Sequence, residues 1–291
     1  MSKTLIIIFS KDRTLQLKSL LRSIRYHSDI QDDEIAVLYT TSPDIPYESL
    51  ITEFGCNFVR ESSFFADVKQ IIDQSEATYV QFMVDDLIFR AEYRLRTVEA
   101  FLDKNRDVDC FSPRLGKNIQ DGLAPQFGSR DDGFLVWDTA DGLGRTWNYF
   151  WEISSSVYRR ELVDQYLNRC DPRKVTYPNP FEYFYYGRMP SYLGPTNGIR
   201  GLVNRARFLG ARRFNRMACQ AKSTCFTQGV NLVAGRDIEY RTTFEPFELH
   251  QRMLEGFIID YVSLHGVANR KPNAGSGDFR LTRDNPRESS A

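Results

Sequence analysis

The sequence predicts an α/β fold built around a mainly parallel β-sheet. Over the first hundred residues, apolar segments of strand length alternate with amphipathic segments of helical length. The candidate strands are apolar along their whole length, which is typical of strands buried on both faces of a sheet. Strands that are joined by helical crossovers run parallel, so this alternation indicates a parallel sheet flanked by helices.

The predicted elements follow one another at short intervals. The first strand is at 5–9, and the apolar residues at 17, 20, 21 and 24 share one face of the helix after it. Further strands are predicted at 35–39, 56–59 and 79–84, and helices at 47–54, 65–75 and 91–105. After residue 105 the regular alternation of strands and helices ends. We predict strands at 108–112, 134–137, 153–158 and 225–233, and helices at 161–170, 179–189 and 247–264.

Composition narrows the class of protein. The 291 residues suit one large domain or a domain with an extension, and 42% hydrophobic residues supply a sizeable core. A formal net charge of zero gives no indication of nucleic-acid binding. Five scattered cysteines without metal-ligand spacing favour reduced thiols in a cytoplasmic protein. The N-terminal apolar run is too short for a signal peptide or a membrane span.

Two adjacent carboxylates, Asp85 and Asp86, end the strand at 79–84. Their mutual repulsion and partial burial cost free energy unless a positive charge lies beside them. A divalent cation is a common solution, because oxygen ligands hold Mg²⁺ or Mn²⁺ and these ions hold diphosphates. The pair is also compatible with a helix cap, since Arg90 and a helix follow. Burial of both acids in ion pairs with arginines, without an open hollow beside Ser10 and Thr40, would contradict a catalytic interpretation of this site.

Polar residues also follow the first and second strands. Ser10 and Asp12 come after the first strand, and Thr40 ends the second. In a parallel sheet the carboxyl ends of neighbouring strands meet at one edge, where ligands bind. We therefore expect these residues to lie close to the acid pair.

The order of these motifs resembles a known family. A strand, the Ser10-Lys-Asp-Arg13 loop, a helix, and a carboxylate pair after the fourth strand are similar to the GT-A nucleotide-sugar glycosyltransferases, in particular a family-2-like, uncharacterised bacterial branch. Downstream, the small-residue and arginine run at 154–161, Asn179-Pro-Phe-Glu182 and Asn231-Leu-Val233 resemble later motifs of that group. The resemblance covers residues 3–265. The chain departs from the family pattern in two places, with adjacent acids in place of a spaced Asp-x-Asp and a single Glu182 in place of a Glu-Asp pair.

The resemblance implies a GT-A fold, with a C-terminal acceptor-side extension, and a function. A sugar would move from a nucleotide-diphosphate donor to a glycan, lipid-linked or other hydroxyl acceptor, with inversion and with Mn²⁺ or Mg²⁺ as cofactor. Asp86 would hold the metal, and Asp85 the ribose or the waters of the metal. His250 would be a further metal ligand, or alternatively a structural histidine.

The resemblance also implies roles for the remaining site residues. Ser10, Asp12 and Thr40 would contact the nucleotide, and Lys69 would reach the base or a phosphate unless it is merely solvated. Glu182 would be the catalytic base, kept ionised by the dipole at a helix N-terminus. The alternative is that Glu182 caps its helix or pairs with Arg188.

Aromatic residues between the predicted elements are a further candidate feature. Trp147, Tyr149 and Trp151 are core candidates, of which at most one would touch a sugar. By the resemblance, residues 1–110 form the nucleotide-sugar-binding half and residues 111–269 the acceptor-side half. Residues 270–291 are polar and predicted to be a disordered tail.

The segment 192–222 contains seven basic residues and no acid. It is compatible with a lid over the donor, with a solvated helix, or with a patch for an anionic acceptor or membrane lipid. We favour the anionic acceptor or lipid, contacted by the stretch from Arg200 to Arg216. This would place the protein in the cytoplasm, peripherally at the inner face of the membrane, in polysaccharide biosynthesis.

The sequence lacks the motifs of two competing classes of enzyme. A nucleotidyltransferase would have a glycine-rich loop after the first strand, and a dinucleotide oxidoreductase would have Gly-x-Gly-x-x-Gly; neither is present. The alternative that stays open is a non-catalytic sugar- or nucleotide-binding scaffold with a degenerate transferase fold.

Overall fold

A computed structural model describes residues 3–130, 133–141, 146–184, 215–231, 244–267, 269–274 and 279–285. The strands are β1 (Thr4–Lys11), β2 (Ile35–Thr40), β3 (Asn57–Arg60), β4 (Tyr79–Val84), β5 (Leu87–Phe89), β6 (Cys110–Phe111), β7 (Gly128–Ser129), β8 (Leu135–Asp138), β9 (Val157–Arg159), β10 (Arg216–Cys219), β11 (Cys225–Gln228), β12 (Phe257–Ile259), β13 (Asn273–Ala274) and β14 (Leu281–Arg283). The helices are α1 (Thr14–His27), α2 (Glu48–Glu53), α3 (Phe64–Asp73), α4 (Leu95–Lys104), α5 (Arg160–Leu167), α6 (Pro178–Tyr183) and α7 (Pro246–Leu254).

The main sheet has nine strands in the described residues, in the order β3-β2-β1-β4-β9-β6-β10-β8-β7. β1 pairs in parallel with both β2 and β4, and β2 pairs in parallel with β3. β9 and β8 are antiparallel to their neighbours, so seven of the nine strands run in the same direction. The predicted fold class, a mainly parallel sheet flanked by helices, is confirmed.

The sheet continues across residue 110, where the sequence suggested a boundary between two halves. β6 straddles this boundary, and β7, β8, β9 and β10 come from the second half; all five extend the sheet that β1–β4 begin. Two smaller sheets complete the described fold. One has the order β13-β11-β5, and the other pairs β12 with β14.

Apolar side chains pack on both faces of the main sheet. One cluster contains α1, α4 and α7 residues, and the other is rich in aromatic rings from α3, α5, α6 and the segment before β9. Trp147 and Trp151 are fully buried in the second cluster, and Trp151 packs against Phe82 of β4 and Phe181 of α6. The two tryptophans are therefore core residues, and Tyr149 is the partly exposed member of the aromatic run.

The closing helix is shorter than predicted. The closing helix was expected at 247–264, but α7 ends at Leu254 and β12 begins at Phe257. Gly256 has a φ of +84°, the left-handed conformation that glycine adopts just beyond a helix end.

Part of the predicted disordered tail is ordered. β13 pairs with β11, and β14 pairs with β12. Asp284 after β14 forms ion pairs with Lys18 and Arg22 of α1. Composition could not predict this order, because these strands are held by pairing with distant segments. None of the described helices is long and apolar enough to cross a membrane.

Candidate functional site

The acid pair lies where the chain passes from one sheet to another. β4 of the main sheet ends at Val84, and β5 of the three-stranded sheet begins at Leu87, so Asp85 and Asp86 form the connection. The Asp85 backbone N–H donates to the carbonyl of Phe9 at 3.1 Å. The Gln228 backbone N–H donates to the carbonyl of Asp86 at 2.8 Å. Both sheets therefore fix the backbone of the pair.

The carboxylate of Asp85 has hydrogen-bond donors on both oxygens. Its Oδ2 accepts from the Ser10 hydroxyl at 3.0 Å and from the Lys11 backbone N–H at 3.1 Å, and its Oδ1 accepts from Arg13 Nη1 at 2.9 Å. The residue is 3% exposed. Burial raises the pKa of Asp85, and the Arg13 charge opposes that rise. Asp85 thus anchors the loop after β1.

Asp86 is more open than its neighbour. Its side chain is 15% exposed, against 4% for Asp85. Its Oδ2 lies 3.1 Å from Arg13 Nη1, and within the described residues Oδ1 has no recorded partner. The two acids therefore have different environments: Asp85 is enclosed by donors, and Asp86 keeps an oxygen for a ligand.

Arg13 supplies the positive charge that the acid pair requires. The same Nη1 atom contacts both carboxylates, and Nη2 donates to the carbonyl of Asn231. Burial alone would lower the pKa of Arg13, but the charges of Asp85 and Asp86 raise it, so the guanidinium stays charged. Both acids are therefore in ion pairs with a buried arginine, which is one of the two conditions that together would contradict a catalytic interpretation of this site.

The described residues test whether a metal ion fits. They contain no group of three or more His, Cys, Asp or Glu side chains arranged to hold a metal. His250 is buried in α7, and its Nδ1 lies 2.8 Å from the Thr14 hydroxyl. Mg²⁺ commonly binds through one or two carboxylates together with substrate phosphates and water. The arrangement fits a cation that enters with a diphosphate and uses Asp86, and it does not assemble Asp85, Asp86 and His250 into one metal site.

The other predicted donor-side residues lie at the same edge of the sheet. The Ser10 hydroxyl is 2.8 Å from that of Tyr47. The Asp12 carboxylate accepts from the Ser42 N–H at 2.6 Å and from its hydroxyl at 2.9 Å, and the Asp12 N–H donates to the Thr40 carbonyl at 3.2 Å. Asp12 has a φ of +53°, so its backbone is left-handed. These residues converge as the strand order predicted, and their contact with a nucleotide stays a prediction.

Lys69 has a different setting. It lies on an exposed part of α3, and its Nζ is 2.6 Å from the Asp73 carboxylate one turn later. An exposed pair of this spacing contributes a few tenths of a kcal/mol. Its predicted contact with the donor has no direct support from this arrangement and stays a prediction.

Glu182 has a raised pKa, for a reason that the sequence did not indicate. It lies in the last turn of α6 and not at a helix N-terminus, so the helix-dipole argument is wrong. Burial and the charge of Glu152 raise the pKa of Glu182 to about 7, against the effects of Arg114, the Ile153 N–H and the Tyr149 hydroxyl. A carboxyl group of this kind can accept a proton near neutral pH. Arg188, its alternative partner, lies outside the described residues.

Sequence reasoning missed two charged residues of the site. Arg13 belongs to the loop motif after β1, and among the described cations it alone contacts both acids. Glu152 precedes the serine run at 154–156, and those serines are its hydrogen-bond donors. A buried acid followed by three small hydroxyl residues was the available signal.

Comparison with known proteins adds a sequence relative. No protein-family model matches the chain. The bifunctional glycosyltransferase pgtA of Dictyostelium discoideum is 29% identical over 209 residues, which cover 61% of this chain and 27% of that protein. The predicted resemblance to glycosyltransferases is confirmed. The chain corresponds to only about a quarter of the length of this relative.

Solved structures with a similar chain path include two complexes with nucleotide sugars and also a cytidylyltransferase from Leptospira borgpetersenii. S. aureus TarS in complex with UDP-GlcNAc is 14% identical with a TM-score of 0.47, covering 84% of this chain and 62% of the other. The mannosyltransferase PcManGT from Pyrobaculum calidifontis, in complex with GDP-Man and Mn²⁺, is 13% identical with a TM-score of 0.36, covering 56% and 46%. The fold class rests on the strand order of the chain itself and not on these two likenesses.

Proposed function

We propose that this chain is a glycosyltransferase that moves a sugar from a nucleotide-diphosphate donor to a hydroxyl acceptor. The sequence similarity to a curated glycosyltransferase carries the proposal. The polar cluster at the carboxyl edge of β1, β2 and β4 supports it, because α/β sheets bind ligands at that edge.

The donor side of the reaction needs positive charge. Negative charge builds on the departing diphosphate, and fixed positive groups that face it lower the barrier. The guanidinium of Arg13 is shared between two carboxylates, so this edge of the sheet keeps one net negative charge, which favours the binding of a divalent cation. When bound, Mn²⁺ or Mg²⁺ would neutralise the charge on the diphosphate, with Asp86 as its protein ligand. Asp85 keeps Ser10 and Arg13 in position beside Asp86.

The acceptor side needs a base. Glu182 is half-buried, and its pKa of about 7 lets it take a proton from a hydroxyl group at neutral pH. Attack by that hydroxyl on the face opposite the diphosphate would invert the anomeric carbon. We therefore assign Glu182 as the base of an inverting transfer.

Exposed aromatic side chains near Glu182 support a glycan acceptor. Four aromatic residues are strongly exposed in the described part of the chain, and three of them flank Glu182: Tyr177, Tyr183 and Phe184. Aromatic rings stack against the C–H faces of sugars. Contact with membrane lipid or with a lipid-linked acceptor was predicted for the stretch from Arg200 to Arg216 and stays a prediction, because residues 200–214 lie outside the described ranges. Arg216 itself is bound in ion pairs with Asp107 and Asp138.

Donor analogues test the proposal directly. Purified protein is incubated with UDP-, GDP- and dTDP-sugars, with Mn²⁺ or with EDTA, and both thermal stabilisation and donor hydrolysis are measured. We expect stabilisation and slow hydrolysis with at least one donor. No response to any nucleotide under either condition would favour the non-catalytic scaffold.

The base assignment has its own test. Glu182→Gln should keep donor binding and lose transfer, because the amide cannot accept the proton. Glu161→Gln, on an exposed position of α5, is the matched control and should keep both. Retained turnover in Glu182→Gln would assign the base to another residue.

A further inference from the structure

Asn231 follows β11 and is buried against the start of α1. It is 2% exposed. Its main-chain carbonyl accepts from Arg13 Nη2, and its side-chain Oδ1 accepts from Gln16 Nε2 at 3.0 Å. Arg13 immediately precedes α1, and Gln16 lies in the first turn of that helix. One short stretch of chain therefore contacts Asn231 at two points.

Gln16 and Asn231 form a buried amide pair. Gln16 is fully buried, and within the described ranges neither its Oε1 nor the Nδ2 of Asn231 has a hydrogen-bond partner. The bond between the two amides is thus the one side-chain hydrogen bond recorded for either residue in those ranges. A buried amide with a single hydrogen bond depends on that bond for its orientation. Gln16 therefore fixes the Asn231 side chain, and with it the carbonyl that Arg13 contacts.

Arg13 turns only part of its guanidinium toward the acids. Its Nη1 lies 2.9 Å from Asp85 Oδ1 and 3.1 Å from Asp86 Oδ2, whereas Nη2 donates to Asn231. Arginine commonly binds one carboxylate through two parallel hydrogen bonds. Such a fork on Asp86 would occupy both of its oxygens. The Asn231 carbonyl prevents the fork, because it holds the second nitrogen that the fork requires.

We propose that Gln16 and Asn231 are positioning residues that hold Arg13 to a contact through one nitrogen with Asp86, and so leave the other oxygen of Asp86 free for a divalent cation. This inference rests on the proposed function, in which a nucleotide diphosphate binds together with the cation. Both members of the amide pair are neutral. They set the geometry of the guanidinium and leave its charge to the two acids.

Titration calorimetry of UDP and GDP, with Mn²⁺ and with EDTA, separates the metal-dependent part of the affinity from the metal-independent part. Gln16→Met keeps the length of the side chain and removes the amide. We expect the metal-dependent part to fall about fivefold, because Arg13 then forms the fork on Asp86, and the metal-independent part to stay unchanged. Asn231→Ala should have the same effect. The double variant should lose no more than either single variant, since both act through one contact. Gln165→Met, the same change at an exposed position of α5, is the matched control and should keep both parts.

A crystal structure of Gln16→Met shows the guanidinium directly and needs no ligand. We expect Arg13 Nη2 to leave the Asn231 carbonyl and to pair with Asp86. An unmoved guanidinium, or equal losses in the two parts of the affinity, would overturn the inference. If Gln16→Met does not fold, Asn231→Ala supplies both measurements. A fork on Asp86 in the variant, without nucleotide binding by the wild-type chain, would support the role of the amide pair and contradict the proposed transferase function alone.

Discussion

Replacing each acid of the pair by asparagine should separate their roles. In Asp85→Asn one acceptor oxygen remains for three donors, and the new amide N–H₂ must face either Arg13 or the Ser10 and Lys11 donors. Losing a charged partner of a buried ion pair costs about 3–5 kcal/mol, and Asp86 still partly compensates Arg13. We therefore expect about 3 kcal/mol of lost stability. Asp86→Asn, at a more open position, should cost less than about 1 kcal/mol.

Urea unfolding and nucleotide titration calorimetry provide the two measurements. Asp85→Asn should lower the unfolding midpoint strongly. Asp86→Asn should shift the midpoint much less and lose the part of UDP or GDP binding that depends on Mn²⁺, because Asp86 is the proposed metal ligand. Equal destabilisation by both variants, or unchanged metal-dependent binding in Asp86→Asn, would refute the division of roles between the two acids.

Three further predictions concern stability. Burial lowers the pKa of His27 to about 4 from 6.5, so the unfolded chain binds a proton that the folded chain does not. Stability should be complete above about pH 6.5 and fall by about 3 kcal/mol toward pH 4, and His27→Phe should flatten this dependence in urea unfolding at several pH values. Asp284→Asn removes the charged partner that Lys18 and Arg22 share, and it should lower the free energy of unfolding by about 1–3 kcal/mol. An unchanged urea midpoint would show that these ion pairs do not stabilise the fold. A Cβ atom on Gly116 would lie 2.5 Å from a backbone nitrogen of the loop before β11, so Gly116→Ala should lower the melting temperature by an amount equivalent to about 2 kcal/mol. Gly229→Ala is the control and should leave the melting temperature unchanged, because a Cβ atom there would meet none of its neighbours within 4 Å.

The sequence was sufficient for the parallel part of the fold. Continuous apolar strands and amphipathic helices predicted β1–β4 and the helices between them, because a strand that is buried on both faces of a sheet is apolar along its whole length. The same reasoning brought Ser10, Thr40 and the acid pair to one edge, since parallel strands end together. Polar residues at strand ends are therefore informative even without an alignment.

The sequence was insufficient where distant segments decide the environment. Which cation neutralises Asp85 and Asp86 depends on the side chain that packing brings to them. Arg13 is 72 residues from Asp85 in the chain, and other basic residues such as Arg90 are much nearer. The raised pKa of Glu182 comes from its burial and from Glu152, thirty residues earlier. The order of β13 and β14 likewise depends on pairing with β11 and β12. The end of α7 is different, because Gly256 is a helix-end signal that the sequence itself contains.

Asp12 has a consequence for how a ligand would enter the edge of the sheet. Its left-handed backbone and its two hydrogen bonds to Ser42 hold the loops after β1 and β2 together. The rim is thus pre-organised, and an incoming molecule does not have to order it at the expense of affinity. Asparagine or glycine could keep the backbone shape at this position, but a β-branched residue would strain it and let the two loops part.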